Sequence, residues 1–188
     1  LCPDYKIIFS DQPVNNMQLN FYYNMADVTI NMASNEGFGL SHAESLMTGT
    51  PIVNNVTGGL QDGCRFEDEN GDWIEFTTDF PSNHDGTYKT HGAWAKPVFP
   101  SNRSIQGSPV TPYIFDDRCR FDDAAQRMKE WYDMTADERR ECGLKGHEFV
   151  KREDVMMTSK MMCQNFIDHM DKSFGEFKPR KRYSIFKA

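Results

Sequence analysis

The chain has 188 residues, 38% of them apolar and 26% charged, with a formal net charge of -7. That length holds one domain with a real core, or one domain carrying a large insertion. The acidic balance speaks against a duplex nucleic-acid binder, which needs clustered Lys and Arg, and no apolar run approaches the ~18 residues of a membrane span. Cys2, Cys64, Cys119, Cys142 and Cys163 are widely spaced, odd in number and form no C-x-x-C. Reduced thiols in a cytoplasmic compartment are the plainer expectation. The histidines show no H-E-x-x-H or paired ligand spacing, so no metal site is expected. Leu1-Cys2-Pro3-Asp4 lacks the basic start and apolar core of a signal peptide, and the absence of an initiator methionine suggests a start inside a longer protein.

Tyr5 to Phe9 reads as a first strand, ended by Ser10-Asp11 and Pro13. Asn16 is placed to cap a helix from Met17 to Met25, with Leu19, Tyr22, Tyr23 and Ala26 available to pack. Val28 to Met32 is an apolar, β-branched run long enough for one buried strand. Asn35-Glu36-Gly37-Phe38-Gly39 breaks that pattern, and its two glycines let backbone approach a ligand closely. Leu40 to Met47 has helical character, with Leu40, Ala43, Leu46 and Met47 on one face. Gly49 suits the position after the helix, Thr50-Pro51 forces an extended exit into Ile52-Val53, and Gly58-Gly59 reads as a turn. This stretch places amides, a helix N-terminus and the carboxylates of Glu36 and Glu44 at the C-terminal end of a strand, which suits an anion-and-sugar site.

Residues 63 to 117 are rich in Gly, Pro, Asn, Ser and Asp, with extended candidates only at Trp73–Phe76 and Tyr113–Phe115. A large irregular insertion or lid is expected there, ordered by Trp73, Trp94, Phe99 and Tyr113. From about 122 to 174 the chain reads as helical. Asp122 is the expected cap of a helix with Ala125, Met128 and Tyr132 on its stripe. Thr135 to Glu138 forms a capping box for a helix toward Arg152. Val155, Met162, Phe166 and Met170 mark a third stripe, widened by Met156, Met157 and Met161, which is read as core or interdomain packing. The basic run Lys178 to Arg182 reads as a solvated tail, or one docking through Tyr183, Ile185 and Phe186, ahead of a localisation signal or a lipid contact.

Several of these residues carry a resemblance. A-D-V-T-I at 26 to 30, E-G-F-G-L at 36 to 40, Glu44 eight residues after Glu36, G-T-P-I-V at 49 to 53 and G-G-L at 58 to 60 stand in the order found in retaining GT-B glycosyltransferases of the large group 1 class. T-A-D-E-R-R-E-C-G-L-K-G-H-E-F-V at 135 to 150 resembles that family more loosely. The resemblance implies an α/β fold: a Rossmann-like parallel sheet with flanking helices, the C-terminal donor-binding domain of a GT-B enzyme, lacking its first βα units. It implies that Glu44 holds ribose hydroxyls of a nucleotide-sugar donor and that Glu36 lies beside the donor sugar as the catalytic carboxylate. The amides around Gly37, Phe38, Gly39 and Leu40 would meet sugar and diphosphate, with Ser41 and His42 in the first turn as further donor contacts. His42 also reads as a buried neighbour of the cap. Neither metal nor cofactor is implied, and retention is ascribed to front-face attack without a protein nucleophile.

The same resemblance places Tyr5–Phe9 as strand 3 and Val28–Met32 as strand 4 of a 3-2-1-4-5-6 sheet, so strands 2 and 1 are missing. The Gly-Arg and Lys-Gly segments that bind diphosphate are also absent, and Arg103 or Lys96 are candidate replacements. Either the sheet is completed by absent residues or another chain, or it is rearranged; an acceptor-binding N-terminal domain or a companion chain is expected as partner, and catalysis by this polypeptide alone is not. The acceptor would be a glycan or other hydroxyl compound. Two alternatives keep the fold: a nucleotide-sugar epimerase of GT-B shape, and a non-catalytic carbohydrate- or nucleotide-binding module.

Overall fold

The computed structural model describes residues 6–74 and 88–179. Residues Leu1–Phe149 form one compact unit and Val150–Ala188 a second. The first is mixed α/β. Three parallel strands, β1 (Thr29–Asn31), β2 (Ile52–Asn55) and β3 (Ala95–Val98), lie in the order β1-β2-β3, with Thr29 opposite Ile52 and Ile52 opposite Ala95. All four residues of β2 are buried, as a central parallel strand covered on both faces requires. Val53 packs with Val98 and Trp131 of helix α4 (Phe121–Tyr132), joined by Val28, Met32 and Ala124. Side chains alternate along a strand, so Ile52 and Asn54 face the opposite side, where Asn54 Nδ2 donates to Leu60 O of the short helix α3 (Leu60–Cys64).

Tyr5 lies outside the described residues, and over Lys6–Phe9 the predicted first strand does not form. Lys6 to Phe9 is irregular, and Ile8 and Phe9 are 88% and 87% exposed. A strand needs a neighbour to satisfy its backbone, and nothing among the described residues pairs with this run. Helix α1 (Asn16–Met25) is capped by Asn15 rather than Asn16. Its side chain accepts from Gln18 N–H at 2.9 Å, and Gln18 returns the bond to Asn15 N–H at 3.0 Å. Helix α2 (Leu40–Met47) buries His42, Ala43, Ser45 and Leu46, while Leu40 and Met47 face outward. The buried face is thus turned from the expected one, because α3 and β2 lie over His42 and Leu46.

The described residues between 63 and 117 are not one irregular insertion. They contain β3, a member of the main sheet, and the hairpin of β4 (Asn102–Ser108) and β5 (Thr111–Arg118), which among the described residues pair only with each other. Tyr113–Phe115 lies in β5, whereas of Trp73–Phe76 only Trp73 makes a bridge, to Glu67, and residues 75 and 76 lie outside the described part. Pro97 sits in β3 without cost. Ile52 and Val56 N–H donate to Trp94 and Val98 carbonyls, so the nitrogen of residue 97 points away from β2 at an edge.

Asp122 is not the cap of α4. The helix starts after Arg120, and Asp122 and Asp123 occupy its first turn, where negative charge meets the positive end of the dipole. The inward stripe is Ala124, Arg127 and Trp131 instead of Ala125, Met128 and Tyr132, which are exposed. Burying Trp131, whose Nε1 donates to Ile52 O at 3.3 Å, sets the rotation of the helix. Helix α5 (Ala136–Val150) begins at the expected capping box, with Thr135 N–H donating to Glu138 Oε2 at 2.7 Å.

In the second unit, helix α6 (Ser159–Glu176) is capped by Thr158. Val155 and Met157 are buried just before it, but Met162, Phe166 and Met170 are exposed and no residue of α6 is buried. The predicted stripe has no partner surface among the described residues of this unit. The basic run past Pro179 and Tyr183, Ile185 and Phe186 lie outside the described residues. Among those described, no helix is long and apolar enough to cross a membrane.

Candidate functional site

The C-terminal ends of β1 and β2 and the root of the hairpin converge on residues 31 to 39. Polar groups fasten this loop along its length. Asn31 Oδ1 accepts from Ala33 N–H and its Nδ2 donates to Ser41 Oγ, both within 2.9 Å. Asn55, buried at the end of β2, donates to Ala33 O at 2.9 Å and Asp117 O at 2.8 Å. Asp117 N–H donates to Ser34 O at 2.7 Å, and Asn35 Nδ2 reaches Phe115 O. The hairpin is therefore anchored to the loop that carries Glu36.

The Gly58-Gly59 pair proves to be more than a turn. Gly59 N–H donates to Glu36 O at 3.1 Å, and a Cβ on Gly58 would stand 1.9 Å from that same oxygen. A Cβ on Gly59 would stand 2.5 Å from Gly37 O. Two backbone segments pass at contact distance here, and only glycine permits it. Gly39 then takes a left-handed conformation (φ 82°) as N-cap of α2, which turns the chain from loop into helix; His42 N–H donates to Gly39 O at 3.1 Å, and the Leu40 and Ser41 amides before it have no intrahelical partner.

Of the predicted site residues, Glu36 to Ser41 lie together at the strand ends. Glu36 is half-buried, Gly37 and Phe38 are exposed, Gly39 is buried and Leu40 projects outward. The Ser41 hydroxyl is engaged by Asn31. Glu44 lies one turn further along α2, half-buried, with Oε2 accepting the Tyr23 hydroxyl at 3.0 Å. It opens on a groove of about 270 Å³ between α1 and α2, lined by Asn16, Leu19, Asn20, Tyr23, Met47 and Thr48. The two carboxylates thus serve different spaces, Glu36 at the loop and Glu44 in the groove.

His42 is fully buried beneath the loop. Its ring lies 5.5 Å from Phe38 and fills the space beside Gly39 and Gly63, where a Cβ would come within 2.8 Å and 2.5 Å of ring atoms. Among the described residues neither ring nitrogen has a hydrogen-bond partner. In this setting His42 supports the loop from inside and offers no ring edge to solvent.

Arg103 and Lys96 separate clearly. Lys96 points at α4, 3.6 Å from Glu130 and 5.2 Å from the Trp131 ring. Arg103 lies over Phe115 with its Nε 3.6 Å from Asp117 Oδ1, while the other Asp117 oxygen accepts the Thr57 hydroxyl at 3.0 Å. Thr57 immediately precedes Gly58, so Arg103 belongs to the same strand-end cluster as the Glu36 loop. The sequence gives no site signal at Asn55, Thr57 or Asp117, and Tyr23 reads there only as a packing residue of α1. The available signal was the polar pair Asn54-Asn55 closing an apolar strand, since buried amides demand partners. Among the described residues no group of His, Cys, Asp and Glu is arranged to hold a metal ion.

Burial sets two opposed proton switches beneath the loop. It pushes the His42 imidazole down to about 4 and the Asp62 carboxyl up to about 6. The unfolded chain protonates His42 near pH 6.5, so the stability tied to the neutral ring is complete above that pH and is lost as pH falls toward 4. Asp62 works the other way: its contribution is present below about 3.9 and lost as pH rises through 6. These slopes oppose each other across one window. Asp62→Asn is expected to make stability fall more steeply than in the unsubstituted chain between pH 6.5 and 4, by about 1–2 kcal/mol, a figure reduced for its partial exposure. Urea unfolding at pH 6.5, 5.5 and 4.5 measures this, and parallel curves for the two proteins contradict it.

No family model matches the chain, and no curated protein matches it.

Proposed function

We propose that the chain is the donor-binding part of a retaining glycosyltransferase of the GT-B type, which transfers a sugar from a nucleotide diphosphate to a hydroxyl acceptor such as a glycan. One observation carries this reading: Glu36 and Glu44 bracket a glycine loop pinned against Gly58-Gly59 at the C-terminal end of a parallel strand. In this reading the diphosphate meets the first-turn amides of α2, where N–H groups and the helix dipole favour anions. Glu36 faces the sugar, where its charge stabilises the cationic carbon that develops as the leaving group departs, and Glu44 accepts ribose hydroxyls in its groove. Arg103 adds a cation at the same edge.

The acceptor side is supplied by another domain or chain. Two features support this: the outer edge of β1 has no neighbour among the described residues, and an apolar cavity of about 1060 Å³ opens beside Val28, Met128, Trp131 and Tyr132. Calorimetry of the chain with UDP and GDP, each with and without an attached sugar, tests the reading. One nucleotide should bind and its sugar should add affinity, whereas no heat with all four overturns the proposal. Turnover of labelled donor by the full-length gene product then tells transfer from epimerisation and from silence.

A further inference from the structure

We infer that Tyr23 is a positioning residue for Glu44, anchoring one carboxylate oxygen so that the remainder of the group is presented to the α1–α2 groove for a ligand with vicinal hydroxyls. The inference rests on the donor reading above and assigns to this groove the choice of ribonucleotide over deoxyribonucleotide.

Tyr23 is held at both ends. Its hydroxyl donates to Glu44 Oε2 at 3.0 Å, and its carbonyl accepts the hydroxyl of Thr50, a nearly buried residue, at 2.8 Å. Thr50 in turn belongs to the turn that closes α2: its carbonyl lies 3.0 Å from Ser45 Oγ, which is also 2.8 Å from Thr29 Oγ1 on β1. The phenol is thus fixed to the same frame that carries Glu44, and the two are 21 residues apart in sequence. Burial first, then the hydrogen bond and charge of Glu44, push the Tyr23 phenol up to about 12, so it remains a donor throughout the working pH range.

A free glutamate side chain has three rotors to immobilise when it binds a diol, and the Tyr23 bond removes part of that entropic cost in advance. An ionised carboxylate has about four acceptor positions. Tyr23 takes one, and two adjacent hydroxyls on one ring can take two more. The groove, at about 270 Å³, has the size of a sugar ring with a little to spare and not of a whole nucleotide sugar. Its Asn16 and Asn20 amides and its Met47 wall give it the mixed lining such a ring needs.

The test uses the chain and its Tyr23→Phe variant, which removes a single oxygen and keeps the ring. UDP, GDP and their 2′-deoxy counterparts are titrated against each, with thermal unfolding as a check that the variant is folded. The unsubstituted chain should prefer the ribonucleotide, and Tyr23→Phe should weaken that binding about tenfold while changing the 2′-deoxy affinity by less than about twofold. Equal weakening of both makes Tyr23 a packing strut and overturns the inference, as does no change in either. Binding without any ribose preference in the unsubstituted chain also overturns it, while leaving a nucleotide site in place. Failure of all four ligands to bind overturns the donor reading, and the inference with it.

Discussion

Gly58→Ala is expected to destabilise the first unit by about 3–5 kcal/mol and to lower Tm by roughly 10 °C, whereas Gly37→Ala, in the loop it faces, should leave Tm almost unchanged. At Gly58 the added methyl would lie 1.9 Å from Glu36 O and 3.0 Å from Glu36 C. Both obstacles are backbone, so no side-chain rotation relieves them. The backbone at Gly58 is also left-handed (φ 46°), a second penalty for any L side chain. Moving the loop away would break the Gly59 N–H to Glu36 O bond and the polar bonds that tie residues 33 to 35 to β2 and the hairpin. At Gly37 nothing among the described residues lies within 4 Å of the added carbon. Thermal unfolding of the two variants decides the matter, and a Gly58→Ala protein melting within about 2 °C of the parent contradicts the packing described. Because the displaced atom belongs to Glu36, the same change also reports on the candidate site.

The stretch from Ala26 to Asp62 was legible because its signals are local. A β-branched run, two glycines around Phe38 and the Gly49-Thr50-Pro51 stop each act through their own backbone, and strand, loop, helix and strand follow in the expected order. The Thr135–Glu138 box was legible for the same reason. What escaped depends on neighbours. Lys96-Pro97 reads as loop until β3 is known to be an edge, where the missing N–H has no bond to lose. The β4–β5 hairpin is masked by Pro109, Pro112 and polar residues on both strands, and its order comes from pairing across 16 residues between Asn102 and Arg118. Helix faces escaped more subtly. In α2 and α4 the period was right and the phase was off by a residue or so, since phase is decided by which large side chain finds a cavity. Trp131 decides it in α4, and His42, wedged beside Gly39 and Gly63, does so in α2. In α6 a helical apolar period exists with no covering surface among the described residues of its unit.

The site followed the same division. Glu36, Gly37, Phe38, Gly39, Leu40 and Ser41 are consecutive, and the strand and helix signals on either side of them were enough to place them at a strand end. The sequence does not reveal that Glu44 shares a hydrogen bond with Tyr23, or that His42 lies inside, because each depends on a partner distant in sequence. Arg103 and Lys96 were equivalent as basic residues in a polar segment. Strand register separates them, sending Lys96 toward α4 and Arg103 toward Asp117.

Glu36→Gln is expected to lower turnover of labelled nucleotide sugar about a hundred- to a thousandfold in the full-length gene product while leaving affinity for the bare nucleotide within about twofold. The substitution keeps side-chain volume and one acceptor oxygen, and the Glu36 carbonyl remains clasped by Gly59 N–H, so the loop is preserved. On the proposed donor reading, what disappears is a full negative charge beside the carbon that would become cationic as the diphosphate leaves. Fixed charge of this kind acts mainly in the transition state, since the ground-state sugar is neutral there. Glu44→Gln should act oppositely, on affinity, because on the same proposal its groove takes a part of the donor that does not change charge during the reaction. Measuring kcat and KM for both variants with the same donor separates the roles: a Glu36→Gln enzyme that loses affinity and keeps its turnover would place the charge-stabilising carboxylate elsewhere, and with it the sugar.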